Sequence, residues 1–307
     1  KNLIRIKKTN SLDMRINYLI ILTVISVFVA CTKVDKSSSD TWFTEMEQSL
    51  AENPTDEAVS KYLETLDSLI DADVTNVERN AALLQRASAL QFNLNKIQSS
   101  IDLMGRSLRM NPDAKDMKEY LTNFVQLNNR MNNDPELDSL QQVLIQASFD
   151  ENGARLSDVS LEVYLEAINA TRNNIYSNSS NPNFRAAKRY VHLVEFLALT
   201  HPNLNELPNM MYEAGKVADL IKNPRQSVML FEWCYQKYPE ADIAPENLFM
   251  LAFTCQESLK NESKAITYYK LFLEKYPDHE MYSSAEFLLQ NINKSDEEIL
   301  EELRNKN

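Results

Sequence analysis

The sequence has 307 residues, of which 44 are acidic and 32 are basic, so its formal net charge is −12. This balance argues against nucleic-acid binding and against docking on anionic lipid, because both depend on clusters of Lys and Arg. Only three glycines occur. Glycine-rich phosphate loops and sets of tight β-hairpin turns need more, so nucleotide-binding α/β folds and β-rich folds are disfavoured.

The N-terminal segment has the features of a secretory signal peptide. Soon after Met14 a positive residue is followed by a short apolar run that ends in a small residue before Cys31. The run is shorter than the roughly 20 residues that span a bilayer. We therefore expect residues 1–13 to be an over-extended translation start and residues 14–30 to be a cleaved signal peptide. An uncleaved N-terminal anchor and an ordinary secretory signal are the alternatives.

The chain without its signal region is still more acidic. Residues 1–30 hold five basic residues and one acidic residue, which leaves 27 basic and 43 acidic residues and a net charge of −16. A solvated acidic surface is the expected consequence. The two remaining cysteines, Cys234 and Cys255, lie in apolar stretches. We expect buried free thiols, with a disulfide as the alternative.

Proline positions and apolar spacing predict an all-α chain. An Asn or Asp N-cap followed by Pro is a helix-start signature, because proline lacks an N–H that would be unpaired there. Five prolines follow Asn or Asp in this way: Pro54, Pro112, Pro135, Pro182 and Pro224. The segment between Asn223 and Pro239 therefore predicts one complete helix. His201 and His279 fall at predicted helix ends, where a cation would complement the helix dipole.

Sequence motifs for catalysis or metal binding do not emerge. Neither HExxH nor CxxC occurs, and no carboxylate stands alone in an apolar helix stripe as a raised-pKa acid would. We therefore expect no catalytic residues, no metal and no cofactor. A helical enzyme acting on cell wall is the least favoured alternative.

An aromatic helix ending is repeated in the C-terminal part. "LFEWCYQKYPEAD" at 230–242 returns as "YYKLFLEKYPDHE" at 268–280, and we call the interval from Pro239 to Pro277 the repeat interval. A second predicted helix and a short polar turn precede each copy, so the unit is a helical hairpin of about 34 residues plus a spacer. One hairpin cannot bury its own apolar face, whereas stacked hairpins can.

These units resemble the tetratricopeptide repeat (TPR). The unit closed by Pro239 has the family's large, small and aromatic positions at Met211, Ala214, Gly215, Ser227, Phe231 and Cys234. The unit closed by Pro277 has them at Phe249, Ala252, Ala265 and Tyr269, and an earlier unit has Leu84, Ala87, Ser88, Ser100, Met104, Ser107 and Pro112. Phe253 stands where the family prefers glycine, so a slightly more open hairpin is expected there. The resemblance implies an all-α, right-handed α-solenoid of tetratricopeptide-type helical hairpins.

A longer internal symmetry predicts two related halves. The unit closed by Pro112 aligns with the unit closed by Pro239 without a gap. We call the displacement from Pro112 to Pro239 the half-to-half shift. We assign residues 41–130 to N-terminal helical repeats, residues 131–156 to a linker region, and residues 157–307 to C-terminal repeats with a terminal helix. Ser295 and Glu298 form a capping box at the predicted start of that helix.

Two further resemblances concern location and partners. "FVAC" at 28–31 is similar to the lipobox of bacterial lipoproteins, which implies lipidation of Cys31 and a flexible tether over residues 31–40. Thr32, rather than Asp, implies sorting to the outer membrane in that family. The C-terminal hairpins resemble those of the BamD and YbgF families of envelope proteins. This implies a non-catalytic, lipid-anchored scaffold or adaptor on the periplasmic side of an outer membrane, where it binds other envelope proteins or peptides.

The TPR resemblance also implies a partner-binding groove lined by the first helix of each hairpin. Its residues here would be Asn209, Tyr212, Lys216, Asp219, Asn247, Met250, Thr254 and Glu257. This mixture suits an extended peptide or a helix. The Lys-and-Asn clamp with which some family members hold a C-terminal carboxylate is not reproduced. The alternative function is a ligand-capturing surface lipoprotein similar to the SusD family, which binds glycans or peptides.

Overall fold

The computed structural model describes residues 38–177, 181–294 and 297–298. Within these ranges the chain forms 13 helices and no strand, apart from one isolated β-bridge between Phe149 and Arg155. The prediction of an all-α fold is confirmed. The predicted signal peptide, the lipidation site Cys31 and the capping residue Ser295 lie outside the described residues.

The described residues divide into two compact units, one that ends at Asn133 and one that begins at Asp134. The first unit contains helices α1 (Ser38–Glu52), α2 (Asp56–Ala72), α3 (Val77–Asn93), α4 (Ile97–Met110) and α5 (Met117–Asn132). Helices α3 and α4 form its best-packed pair, and α5 packs on α4. The core between α1, α2 and α3 includes the fully buried side chains of Phe43, Tyr62, Leu66 and Leu84.

The second unit contains the remaining eight described helices. They are α6 (Pro135–Ser148), α7 (Glu162–Ile175), α8 (Phe184–Thr200), α9 (Leu207–Leu220), α10 (Pro224–Lys237), α11 (Ala244–Glu257), α12 (Glu262–Lys275) and α13 (Tyr282–Asn291). From α7 onward each helix packs on the next, and α9 also contacts α11. Phe231, Leu248, Tyr269 and Phe272 are buried in the core that α10, α11 and α12 share.

Two of the five predicted helix starts have the expected geometry. The side chains of Asp134 and Asn223 accept hydrogen bonds from backbone N–H groups of the first turns of α6 and α10, and both helices begin at the following proline. The single helix predicted between Asn223 and Pro239 is α10. At the other three prolines the cap is elsewhere, since Thr55 caps α2, Asn183 caps α8, and Asn111 ends α4.

Four left-handed residues mark a repeated turn. Asn95 (φ 58°), Asn133 (φ 46°), Lys222 (φ 60°) and Lys260 (φ 54°) follow the ends of α3, α5, α9 and α11. Asn95 and Asn133 are separated by the repeat interval, as are Lys222 and Lys260, and the half-to-half shift carries the first pair onto the second. Non-glycine residues rarely adopt this conformation, so its recurrence at four regularly spaced helix ends supports an internal repeat.

Hydrogen bonds show that two of these turns are alike in detail. The N–H of Asn223 donates to the carbonyl of Ala218 (2.9 Å), and the N–H of Lys222 donates to that of Asp219 (2.9 Å). Lys96 and Asn95 make the same two bonds, each of 2.9 Å, at the end of α3. Both are Schellman caps, in which a left-handed residue turns the chain so that the next helix can return along the first.

The segment predicted as a linker contains a helix. Helix α6 fills most of residues 131–156, and the half-to-half shift carries both of its bounds onto those of α12. Leu137, Leu144 and Ile145 are buried, and α6 packs on α8. The polar residues on both sides concealed this helix, because only a narrow apolar stripe is needed to bury one face.

Small side chains lie where the two helices of a hairpin approach. In the α3/α4 pair the hydroxyl of Ser88 donates to the carbonyl of Ser100 (2.8 Å) and lies 3.0 Å from its hydroxyl. In the α9/α10 pair Gly215 takes the place of Ser88, and a Cβ built there would lie 2.5 Å from Cε1 of Phe231. Ser227, the counterpart of Ser100, is fully buried with no partner for its hydroxyl in the described part of the chain.

Cys234 and Cys255 are buried free thiols, as expected. Burial raises the pKa of Cys234 to about 12 and that of Cys255 to about 11, so both stay protonated and poorly nucleophilic. The Cys234 thiol donates to the carbonyl of Pro208 (3.5 Å). In the first unit Ser107 makes the corresponding bond to the carbonyl of Ala81 (3.0 Å).

Candidate functional site

The predicted groove residues lie on α9 and α11, two helices that contact each other as the first members of successive hairpins. Six of the eight predicted positions keep part of their side chain exposed. These are Asn209, Tyr212, Lys216, Asp219, Met250 and Glu257. The candidate site is therefore the exposed face formed by these six side chains on the two helices.

Tyr212 and Lys216 form the centre of this face. The Lys216 ammonium lies 4.6 Å from the centroid of the Tyr212 ring and 2.7 Å from a carboxylate oxygen of Glu213. The other side of the tyrosine reaches the core, since its ring centroid is 6.0 Å from that of Phe231. The three side chains form one ordered group, in which a cation lies over an aromatic ring beside a carboxylate.

Electrostatics keep the Tyr212 hydroxyl protonated. Burial raises its pKa above the usual value, Lys216 opposes this, and the carboxylates of Glu213 and Glu246 add to the rise. The phenol is therefore a neutral hydrogen-bond donor at physiological pH. With the partly exposed ammonium of Lys216, it offers hydrogen-bond donors beside an apolar ring, a combination that is common at protein-binding surfaces.

The α11 side of the face is more apolar. Met250 is half-buried and packs against the core of the unit. Glu257 is exposed at the end of the helix, 3.6 Å from the ammonium of Lys260. The face therefore changes along its length from a tyrosine and a lysine to a methionine and then to a carboxylate.

Two predicted groove residues are placed wrongly. Asn247 is fully buried and its amide donates to the carbonyl of Phe231 in α10 (2.6 Å), while Thr254 is almost fully buried. Both lie on the same face of α11 as Leu251, which packs into the core. The TPR pattern predicts the same exposed positions on α11 as on α9, but the stripe of α11 that faces α10 includes Asn247 and Thr254. Within the described residues, neither the amide oxygen of Asn247 nor the hydroxyl of Thr254 has a partner.

A polar cluster between α6 and α8 was not predicted. Nε and Nη2 of Arg189 each donate to a carboxylate oxygen of Asp134 (2.8 Å), and Arg189 also pairs with Glu136. The hydrogen bonds and charge of Arg189 hold the pKa of Asp134 below its usual value despite partial burial. A polar notch of about 230 Å³ adjoins this cluster, lined by Glu136, Thr171, Asn174, Asn183, Arg185, Ala186 and Arg189.

The role of this cluster is structural, because it links the start of α6 to α8. Its carboxylates and the Arg189 guanidinium satisfy one another, and the Asp134 side chain also caps α6. The sequence identified Asp134 as a helix cap. It gave no signal for its pairing with Arg189, which lies 55 residues away.

A buried carboxylate was also missed. Glu195 is almost fully buried in α8, where its carboxylate accepts a hydrogen bond from the Gln226 side chain (3.2 Å) and lies 3.8 Å from Nδ1 of His192. Its neighbours Val194 and Phe196 are apolar and buried. The apolar pattern around residue 195 was the available signal, because it runs nearly without interruption from Leu193 to Thr200.

The expectation that His201 acts as a cation is wrong. It caps the C-terminus of α8, and burial together with the charge of Arg155 lowers its pKa to about 4. At neutral pH the ring is uncharged, and its Nδ1 lies 3.0 Å from the hydroxyl of Thr200. His279 accepts a hydrogen bond from the N–H of Met281 (3.2 Å) and lies 3.8 Å from the carboxylate of Glu246.

The described ranges contain neither a candidate metal site nor a candidate membrane-spanning helix. No three His, Cys, Asp or Glu side chains lie together there in a way that could hold a metal ion. In the same part of the chain, no helix combines the length and apolar character needed to cross a membrane.

The described residues therefore define an all-α protein that contains helical hairpins such as α3/α4, α9/α10 and α11/α12, with a mixed aromatic and charged face on α9 and α11. No protein-family model matches this sequence, and no curated protein matches it significantly.

Proposed function

We propose that this chain is a non-catalytic scaffold or adaptor of the TPR type, a right-handed α-solenoid that binds other proteins or peptides. The regular spacing of Asn95, Asn133, Lys222 and Lys260 supports a repeat of one hairpin unit. The close approach of Gly215 and Phe231 supports the use of small residues to bring paired helices together, as in that family.

One observation carries the proposal: an ordered but solvent-accessible group of Tyr212, Glu213 and Lys216 on the first helix of a hairpin. Its ring is anchored against Phe231, so contact with a partner costs little side-chain entropy. Together with Met250 on α11, it offers one apolar contact and several polar ones. An extended or helical peptide segment is the ligand that suits such a surface.

The proposed location is the periplasmic side of a bacterial outer membrane. The support is sequence-based: the signal peptide at 14–30, the lipobox-like ending before Cys31, and the polar tether at 31–40. Helix α1 begins at Ser38, inside the predicted tether, so the tether is shorter than predicted and residues 32–37 lie between the cysteine and the first described helix. Lipid on Cys31 would anchor the chain, and the envelope would supply its partners.

The binding surface is tested by crosslinking the full chain in cells, followed by affinity capture and mass spectrometry. A double variant, Tyr212→Ala with Lys216→Ala, removes the proposed contacts. The control is Lys270→Ala, which removes an exposed lysine from α12. We expect one or two envelope proteins with the wild type and the control, and a loss of at least about tenfold in their recovery with the double variant.

Other outcomes would contradict the proposal. Recovery of no protein partner would exclude the adaptor function, and a bound glycan would favour the SusD-like alternative. Recovery that is equal for the double variant and the control would move the binding surface away from α9. The anchor is tested separately with Cys31→Ser: loss of a lipid-modified N-terminal peptide and release from membranes are expected.

A further inference from the structure

The polar notch beside α6, α7 and α8 has walls that are held in place by the fold. The N–H of Asn183 donates to the carbonyl of Ile175 (2.9 Å), which holds the start of α8 against the end of α7. From α6, the carboxylates of Asp134 and Glu136 pair with Arg189 of α8. At about 230 Å³, the notch is smaller than pockets for drug-sized ligands, which measure about 300–1,000 Å³. Its size suits one side chain of a partner.

Arg185 is the cation in the notch that remains available to a ligand. Its side chain is 71% exposed, and its Nη2 lies 3.9 Å from Oδ1 of Asp134. The side chain of Arg189, in contrast, is only 14% exposed and is engaged by the carboxylates of Asp134 and Glu136. The planar guanidinium of Arg185 can therefore donate paired hydrogen bonds to a carboxylate that enters from solvent.

The notch lies in a basic stretch of an acidic chain. Asp and Glu make up 44 of the 307 residues, about one in seven, yet none occurs in residues 167–194. This stretch includes three exposed cations, Arg172, Arg185 and Lys188. Lys188 follows Arg185 by three residues on α8, so the two side chains are neighbours on the helix surface. Most of the chain repels anions, whereas this part of α8 attracts them.

We propose that the notch and Lys188 form a second binding site, which takes an acidic segment of a partner protein. One carboxylate of the segment enters the notch and binds Arg185, and a neighbouring carboxylate lies against Lys188. The amide oxygen of Asn174 already accepts hydrogen bonds from the side chains of Ser177 (3.2 Å) and Asn183 (3.4 Å). Its N–H₂ group is therefore left to donate to the segment. This site goes beyond the proposed function, because it places a contact outside α9 and α11.

An acidic peptide suits this site better than an anionic membrane or a nucleic acid. Those ligands carry negative charge over a wide area and would also meet a chain whose net charge is −12. The carboxylate of Glu136, whose side chain is 67% exposed, borders the notch as well. A narrow peptide brings a single carboxylate to Arg185 and little further charge to Glu136.

Fluorescence anisotropy of the full chain with a labelled, capped peptide of alternating glutamate and glycine tests this site. The same peptide with glutamine in place of glutamate is the uncharged probe. The variant Arg185→Ala with Lys188→Ala removes both cations. The matched control, Arg225→Ala with Lys270→Ala, removes the same charge from exposed positions on α10 and α12. We expect binding of the glutamate peptide to weaken at least about tenfold in the variant and to stay unchanged in the control.

A neutral change separates the notch from surface charge in general. Asn174→Ala keeps the net charge and removes the amide from the notch wall. Binding of the glutamate peptide should weaken at least about threefold, because a hydrogen bond to the segment is lost, while the urea midpoint stays the same. Unchanged binding in Asn174→Ala would reduce the contact to surface charge and overturn the site.

Other results would also overturn the inference. These are no binding to the wild type, equal binding of the glutamine peptide, and equal loss in the variant and its matched control. Loss of binding only in Tyr212→Ala with Lys216→Ala would place the peptide on α9, and the proposed function would then stand without this site. Binding to vesicles of anionic lipid but not to the peptide, abolished by Arg185→Ala with Lys188→Ala, would assign the cations to a lipid surface.

Discussion

The contact between Gly215 and Phe231 gives the sharpest prediction for stability. A Cβ at position 215 would lie 2.5 Å from Cε1 of Phe231 and 2.8 Å from both Cδ1 and Cζ, whereas carbon atoms in contact are normally about 3.5–4.0 Å apart. Phe231 is fully buried, so its ring cannot move away freely. In Gly215→Ala, α9 and α10 must separate by roughly 1 Å, or the ring must leave its rotamer.

The expected net effect is a moderate loss of stability. Overpacking of a buried site costs about 1–3 kcal/mol, whereas alanine in place of glycine inside a helix contributes up to about 1 kcal/mol. Gly215→Ala should therefore lower the free energy of unfolding by about 1–2 kcal/mol. Urea unfolding followed by circular dichroism measures this as a lower midpoint at an unchanged slope.

Gly105→Ala is the matched control. A Cβ there would lie 3.0 Å from Nη1 of Arg109, the end of a flexible side chain, and 3.3 Å from Cε2 of Phe124. Since the arginine can move, the gain in helix propensity should dominate, and the variant should be equal to the wild type or more stable by up to about 1 kcal/mol. The two Gly→Ala changes therefore have opposite expected signs for a stated geometric reason.

A double variant tests the cause of the effect. Phe231→Met introduces the residue found at the equivalent position of the earlier hairpin, Met104, where Ser88 replaces glycine. If the ring contact causes the loss, Gly215→Ala should cost at least about 1 kcal/mol less in the Phe231→Met background. Strict additivity, or a Gly215→Ala variant as stable as the wild type, would refute the explanation.

Three further predictions concern single side chains. Lys222→Gly should stabilise the chain by about 1 kcal/mol in urea unfolding, because it relieves a left-handed backbone at φ 60°. Lys222→Ala, which removes the charge but keeps the Cβ that strains this conformation, should not. Ser227→Ala should stabilise the chain by roughly 1 kcal/mol, because it removes a buried hydroxyl without a partner among the described residues. Ser100→Ala is the control and should not stabilise the chain, since the Ser100 hydroxyl lies 3.0 Å from that of Ser88. The pKa of His201 is about 4 in the folded chain, against an ordinary value of 6.5. As the pH drops between these values, the unfolded state binds the proton first, so the free energy of unfolding falls. The decrease in the urea midpoint from pH 7.5 to pH 5 should therefore be smaller in His201→Gln than in the wild type.

The helices were predictable because their signals are local. Apolar residues at helical spacing and the residues around Pro239 and Pro277 lie within single elements, and the C-terminal repeat follows from comparing such elements. The helix at 135–148 falls in the segment predicted as a linker, because long polar segments flank it. Its capping pair, Asp134-Pro135, was already visible and gives the correct start.

The candidate site was less predictable because exposure depends on neighbouring helices. Asn209 and Asn247 were assigned by the same repeat register, yet the first is exposed and the second is fully buried beneath α10. Glu195 likewise looks like one of many acidic residues in this sequence, and only its packing distinguishes it. The role of a polar residue in an apolar run can therefore be assigned only when its neighbours in the folded chain are known.

The left-handed residue at a helix end recurs at all four equivalent positions, whereas the side chains that pack within the hairpins vary. At the position of Gly215 the related hairpins carry Ser88 and Phe253, and at the position of Phe231 they carry Met104 and Tyr269. Cores tolerate such exchanges when neighbouring volumes compensate. A left-handed residue costs about 1 kcal/mol when it is not glycine, yet the chain accepts this conformation at all four turns, twice with lysine. The turn sets the direction in which the next helix runs. The facing side chains of the two helices must then fill the space between them.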